Sequence, residues 1–186
     1  MAEEVAIARR LSDYAANPDP LTAASNRLAL ILAANQPFYP LYVRWVTGEF
    51  GGALALTFLS TPFFLASPWV SRRFPRLGRF WFPIIGAINT FFCAFVFGEA
   101  SGVALFLIPC FVIAALSSRA TEYFELALFS AALIGAYFLL LGRFHDPLFE
   151  TDSSQLKALF SLNAYSAATL SILASWMLCR ARRLTA

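Results

Sequence analysis

Apolar residues in this chain gather into long runs separated by short polar or charged stretches. Six runs stand out, at approximately Leu21–Val46, Phe50–Val70, Phe80–Phe97, Gly102–Ser117, Tyr123–Leu141 and Gln155–Leu178. A helix rises about 1.5 Å per residue, so about 20 residues carry it across roughly 30 Å of hydrocarbon. The pattern therefore predicts about six transmembrane helices. The first run is the most interrupted, by Asn26, Arg27, Asn35, Gln36, Pro37 and Pro40. The fourth is short and requires little tilt or a locally thin bilayer. The other four read as ordinary spans.

Ahead of these runs, Val5, Ala8, Leu11 and Ala15 fall on one side of a helix, with Glu3, Glu4, Arg9, Arg10 and Asp13 largely elsewhere. That is the pattern of a short amphipathic helix lying on a membrane surface. Asn17-Pro18 breaks it, and Asp19 before Pro20 makes a favourable helix cap followed by a first-turn proline. At the far end, Asp152 with Gln155 three residues on forms a capping-box pattern before the sixth run. Thr121, Glu122 and Glu125 suit the positive N-terminal end of the fifth. The expected architecture is thus an all-α integral membrane bundle: an amphipathic segment at 1–18, a six-helix domain at 19–179 and a basic tail at 180–186.

Composition agrees with lipid as solvent. The chain is 59% hydrophobic, 16% aromatic and only 13% charged, against roughly 25% charged in soluble domains. The charged first twenty residues lack the continuous apolar stretch of a secretory signal, so the N-terminus is expected to persist.

Charge placement then sets direction. Arg9, Arg10, Arg27, Arg72, Arg73, Arg76, Arg79, Arg119, Arg180, Arg182 and Arg183 all fall on one side of a six-span layout, and only Arg44, Arg143 and Lys157 fall opposite. The positive-inside rule places both termini in the cytoplasm, as expected for a protein of the bacterial inner membrane, with the acidic loop of Asp146, Glu150 and Asp152 outside. A five-span layout would put Arg9 and Arg10 on the wrong side. A pI near 9.0 could suggest nucleic acid, but the charges are distributed for topology, and no nucleic-acid partner is expected.

Polar residues at bilayer depth need partners, so they are the candidate functional positions. Asn35 and Gln36 adjoin Pro37 and Pro40, where the helix should kink; self-repair of the kink and a ligand cavity built around it are both open. Asn89 and Thr90 in the third run, and Asn163, Tyr165 and Ser166 in the sixth, suit either interhelical hydrogen bonds or a ligand. Ser60-Thr61-Pro62 reads as a second repaired kink. Arg72, Arg73, Arg76, Arg79, Arg180, Arg182 and Arg183 are candidates for contact with anionic lipid or an acidic partner. Cys93, Cys110 and Cys179 read as buried thiols. His145, the single histidine, reads as a solvated loop residue. No nucleophile elbow, phosphate loop or metal-ligand cluster is present in the sequence, so neither catalytic machinery, metal nor cofactor is expected.

One stretch resembles a known type of module. Gly86-Ala87-Ile88-Asn89-Thr90, Gly98-Glu99-Ala100-Ser101-Gly102, Val103-Ala104-Leu105-Phe106 and Arg119-Ala120-Thr121-Glu122 are similar to parts of the six-helix membrane domains that precede class III nucleotide cyclases and related bacterial signalling outputs. The resemblance implies a sensor or regulatory role. No cyclase metal-binding aspartate or nucleotide pocket has a counterpart here, so no catalytic residue carries over. The expected function is a multi-pass sensor-like or regulatory module acting through a cytoplasmic effector or membrane partner. A structural subunit of a larger membrane complex and a small-solute carrier or binding subunit are the alternatives, and assembly with further copies of the chain is open.

Overall fold

A computed structural model describes residues 2–48, 52–143, 147–148 and 152–184, and the regular structure among them is all helical. Helix α1 (Ala2–Ala15) is followed by α2 (Pro20–Asn35), a 3₁₀ turn at Gln36–Phe38 and α3 (Tyr39–Thr47). A 3₁₀ run at Gly52–Ser60 leads through α4 (Thr61–Leu65) to α5 (Ser67–Arg73), and α6 (Pro75–Phe97) follows. Two 3₁₀ turns, Glu99–Ser101 and Val103–Phe106, precede α7 (Leu107–Ser117). A further 3₁₀ turn at Ala120–Glu122 opens α8 (Tyr123–Leu140), and α9 (Ser153–Arg182) is the longest helix. His145 lies outside the described residues.

Among the described residues, three helical stretches are long and apolar enough to cross a membrane: Pro75–Phe97, Ala120–Leu139 and Ser153–Arg182; Val103–Ser117 is apolar but shorter. The first two expected spans are instead broken helical runs. Proline explains both breaks, since it removes an amide donor and crowds the preceding turn. In the first run Pro37 and Pro40 tighten the chain into the 3₁₀ turn. In the second, expected to be an ordinary span with a repaired kink at Pro62, that proline and Pro68 divide the helix into short pieces. The Gln36 side-chain amide donates to Ser60 Oγ at 3.0 Å, so a hydrogen bond joins the two breaks.

Both predicted caps form. Asp19 Oδ2 accepts from the Thr22 hydroxyl at 2.6 Å and its amide at 3.4 Å. Asp152 accepts from the amides of Ser154 and Gln155, and Gln155 Oε1 accepts from the Asp152 amide at 2.9 Å. The expected separate basic tail is not separate: α9 continues through Arg180 to Arg182.

Packing gathers the starts of α2, α6 and α8 and the ends of α5, α7 and α9 at one pole of the bundle. There Leu28, Phe64, Phe82, Ile113, Ala174 and Leu178 form one buried cluster. Phe64 meets Phe82 edge-on, with ring centroids 5.6 Å apart. Toward the opposite pole Val43, Val96, Phe97, Val103 and Leu159 form a second cluster. Asn163, fully buried within it, donates to Ser101 O at 2.9 Å and accepts from Tyr39 OH at 3.0 Å.

Two close approaches depend on glycine. A Cβ on Gly78 would lie 2.3 Å from Ser71 Cα, so only glycine lets α6 start this close to α5. Gly102 turns with φ +76° against the Phe160 ring, a conformation costly for any residue with a Cβ. In contrast, α8 is peripheral: 6% of its apolar window is buried, against 61% for α6. Most of its side chains face outward, where in a bilayer they meet lipid, while Phe129 and Leu133 pack against Ala87, Leu107 and Cys110.

Candidate functional site

Between the two apolar clusters lies a cavity of about 450 Å³, within the size range of small-molecule sites. Its walls come from the C-terminal end of α2, the 3₁₀ turn at Gln36, the start of α3 and the middle of α6, α7 and α9, beside the proline break of the first run. Residues at helical spacing supply each wall: Phe82, Gly86, Asn89 and Cys93 on α6, and Leu162, Ser166, Leu170 and Leu173 on α9.

Six of the seven polar residues singled out in the first, third and sixth runs line this one cavity: Asn35, Gln36, Asn89, Thr90, Tyr165 and Ser166. They come from three runs well separated in sequence. Asn163 does not line it; as a satisfied interhelical link it acts behind the wall, holding Tyr39, which does line it. Gln36 and Thr90 already have partners, Ser60 Oγ and the Gly86 carbonyl. The side-chain amides of Asn35, which is exposed, and Asn89, which is half-buried, have no partner among the described residues.

Sequence reasoning missed Tyr39, Tyr42 and Thr169 as lining residues. Helical spacing held the signal, because Tyr39 and Tyr42 follow Asn35 by four and seven positions and so share its face. No lining side chain is charged. On one flank the cavity is open to the bundle surface, where Ile31 is 47% and Tyr165 76% exposed.

The pole beyond Phe82 carries an ion network. Arg79 Nε donates to Glu122 Oε2 at 2.9 Å, its Nη2 reaches Glu122 Oε1, and its Nη1 reaches Asp19 Oδ2 at 3.4 Å. Arg119 pairs with Asp19 Oδ1 at 3.2 Å, while its amide donates to Glu122 Oε2 at 2.9 Å. Ser117 Oγ donates to the Arg79 carbonyl at 3.1 Å. Burial pushes the Asp19 carboxyl up, but hydrogen bonds from Thr22 and the charge of Arg119 outweigh it, leaving its pKa below the usual aspartate value.

This corrects the expectation for Arg79. At 5% exposure it cannot meet lipid or a partner; it is an internal tie between α6, the α7–α8 turn and the start of α2. Arg182 is also committed, donating to the carbonyls of Ala115, Leu116 and Ser118 at the end of α7. Arg72 donates to the Tyr14 carbonyl and stacks over the Tyr14 ring, 5.2 Å from its centroid. Arg73, Arg76, Arg180 and Arg183 are exposed at this pole. Their expected contacts with lipid or partner are compatible with that exposure.

Tyr14 OH also donates to the Leu65 carbonyl at 2.9 Å, and Asn26 Nδ2 donates to Ala15 O and Ser71 Oγ. The C-terminal end of α1 is therefore fastened to the same pole. Of the three cysteines, Cys93 and Cys110 are buried at the cavity wall, but Cys179 is exposed, contrary to its expected burial. Among the described residues no group of three or more His, Cys, Asp or Glu side chains could hold a metal ion. Comparisons with protein-family models, with curated proteins and with solved structures returned no match for this chain.

Proposed function

We propose that this chain is a six-span module of a bacterial cytoplasmic membrane, with both ends in the cytoplasm and no catalytic machinery of its own. It takes a small ligand into the cavity between its helices and reports occupancy to a cytoplasmic or membrane partner. The carrying observation is convergence: polar residues from three distant runs, none needed for solubility in lipid, line a single cavity. Polar side chains at bilayer depth are costly unless satisfied, and the half-buried Asn89 amide has no partner among the described residues.

The ion network supports the regulatory half of the reading. It ties the starts of α2, α6 and α8 at the pole that the basic residues assign to the cytoplasm, and α1 is fastened there too. Exposed Ile7 and Leu11 on α1 suit a helix resting on the membrane surface. A carrier would require a path through this pole, and Leu28, Phe64, Phe82 and Ile113 fill the layer between cavity and network. That favours a receptor-like role over transport. The bare outer surface of α8 favours, as a second reading, a subunit that docks within a larger membrane complex.

Extraction from native membranes into polymer-bounded lipid discs, followed by mass spectrometry of co-purifying small molecules and proteins, tests the reading. A bound small molecule together with a partner protein is expected. Recovery of the protein alone and empty, with no thermal shift in any membrane-extract fraction, would overturn it.

A further inference from the structure

The lining of the cavity is not mixed at random along the bundle axis. On α2, Ile31 and Leu32 lie toward the ion-network pole, while Asn35 lies toward the opposite pole, followed there by Tyr39 and Tyr42. On α6, Phe82 and Pro83 lie toward the network, and Asn89 and Thr90 lie away from it. Helix α9 runs the other way and repeats the order in reverse, with Tyr165, Ser166 and Thr169 away from the network and Leu170 and Leu173 toward it. Phe64 and Ile113 close the network end. Each of these three helices thus places its polar lining residues away from the network and its apolar ones toward it, with Leu162, Val103 and Phe106 as apolar neighbours of the polar end.

We propose that the cavity holds an uncharged amphiphile, its hydrogen-bonding head among Asn35, Asn89 and Tyr165 and its apolar chain directed toward Phe82, Ile113 and Leu173. This inference rests on the ligand-binding reading above and adds the chemistry and direction of the ligand. Two observations exclude a charged head. No Asp, Glu, Lys, Arg or His lines the cavity, and a charge placed there would lose its hydration without a counter-ion. Carboxamides and phenols both donate and accept, so they satisfy an alcohol, amide or carbonyl head equally.

The open flank, where Ile31, Tyr42 and Tyr165 are 47%, 40% and 76% exposed, faces the direction from which a membrane-dissolved amphiphile arrives. Its chain then slides along Leu170 and Leu173 into the apolar end. The neutral head stops at the level of Asn35 and Asn89, where unpartnered amides meet it.

The test uses the full chain in polymer-bounded lipid discs, because alkyl-glycoside detergents are themselves neutral amphiphiles and would compete. Binding of dodecanol, dodecanamide, dodecanoate and dodecyltrimethylammonium is measured by equilibrium dialysis with thermal unfolding alongside. The two neutral compounds should bind at least tenfold more tightly than the two charged ones. Asn89→Leu should reduce dodecanamide affinity at least fivefold, and Leu173→Trp, which fills the apolar end, should abolish binding. Should Leu173→Trp fail to fold, Leu170→Phe replaces it.

Direction is read with dodecanol carrying a diazirine on its terminal carbon, which should label α6 near Phe82 or α9 near Leu173. Labelling confined to Asn35 or Tyr165 would overturn the head position. Equal affinity for neutral and charged compounds would overturn this inference while leaving a ligand site in place. Failure of all four to bind the folded protein would remove the ligand-binding reading as well. Competition by lipid extracted from the host membrane, as against extract of the growth medium, distinguishes a resident lipid from an arriving signal.

Discussion

Removing Glu122 should be among the most damaging single substitutions available in this protein. Arg79 is 5% exposed and Glu122 2%, so the pair sits almost wholly out of water. At the 3.4 Å separating Arg79 from Asp19, a unit charge pair attracts by about 5 kcal/mol at an effective dielectric near 20. The closer Glu122 contact attracts by somewhat more. Desolvation offsets much of this, because each buried ion costs several kcal/mol. The net value of the pair is therefore small while the penalty for breaking it is large. Glu122→Ala leaves a buried guanidinium with only the more distant Asp19 and should cost about 3–5 kcal/mol, a fall in melting temperature of roughly 10 °C. Replacing both partners, Arg79→Met with Glu122→Ala, removes both charges and should cost less than Glu122→Ala alone. Thermal unfolding of the four members of the cycle, followed by tryptophan fluorescence, measures the coupling. Additive single-substitution effects, or a loss under about 1 kcal/mol for Glu122→Ala, would refute the reasoning.

Other outcomes follow from particular contacts. Gly78→Ala places a methyl group 2.3 Å from Ser71 Cα, backbone that cannot rotate away, and should cost about 3 kcal/mol; Gly135→Ala meets nothing within 4 Å and should be neutral or stabilise by up to about 1 kcal/mol, both read by thermal unfolding. Because Asp19 has a lowered pKa in the folded protein, its contribution is complete above the ordinary aspartate value of about 3.9 and is lost as pH falls through the lower folded value. Asp19→Asn should be less stable near neutral pH but show a shallower loss of stability below about pH 4 in acid unfolding scans. Cys179 should react with maleimide in the folded protein, while Cys93 and Cys110, both buried, should react only on unfolding; mass spectrometry of the labelled peptides reads the difference.

Local chemistry explains why so much of the fold was legible before the structure. Asp19 and Asp152 cap their helices because a short acceptor side chain satisfies amides two or three residues away, and both partners lie within one turn of sequence. The break at Gln36–Phe38 follows equally locally from Pro37 and Pro40. Apolar length shows α6, α8 and α9 as helices able to cross a membrane. In the second run the kink at Pro62 was legible from the proline, but the further division at Pro68 was missed because hydropathy averages over it, and a helix divided by proline is as apolar as an intact one.

The candidate site was legible in part. A polar residue in an apolar run marks a position that needs a partner, and that need alone selected Asn35, Gln36, Asn89, Thr90 and Tyr165. It could not distinguish Asn163, whose partners are Tyr39 and Ser101, far away in sequence. Nor could it show that the polar lining residues gather toward one end of the cavity, because that order exists only when α2, α6 and α9 lie side by side.

Arg79 marks the boundary most sharply. Residue type and loop position made it one more arginine of a basic patch, and the positive-inside pattern counts it correctly among its neighbours. Its burial depends on Glu122 and Asp19, 43 and 60 residues away, arriving at the same pole through the packing of α2, α6 and the α7–α8 turn. The chain alone determines which segments are helical, where they begin and break, and which polar groups must find partners. Tertiary structure decides which partners they find, since an ion pair or a cavity wall depends on distances across helices that no local pattern encodes.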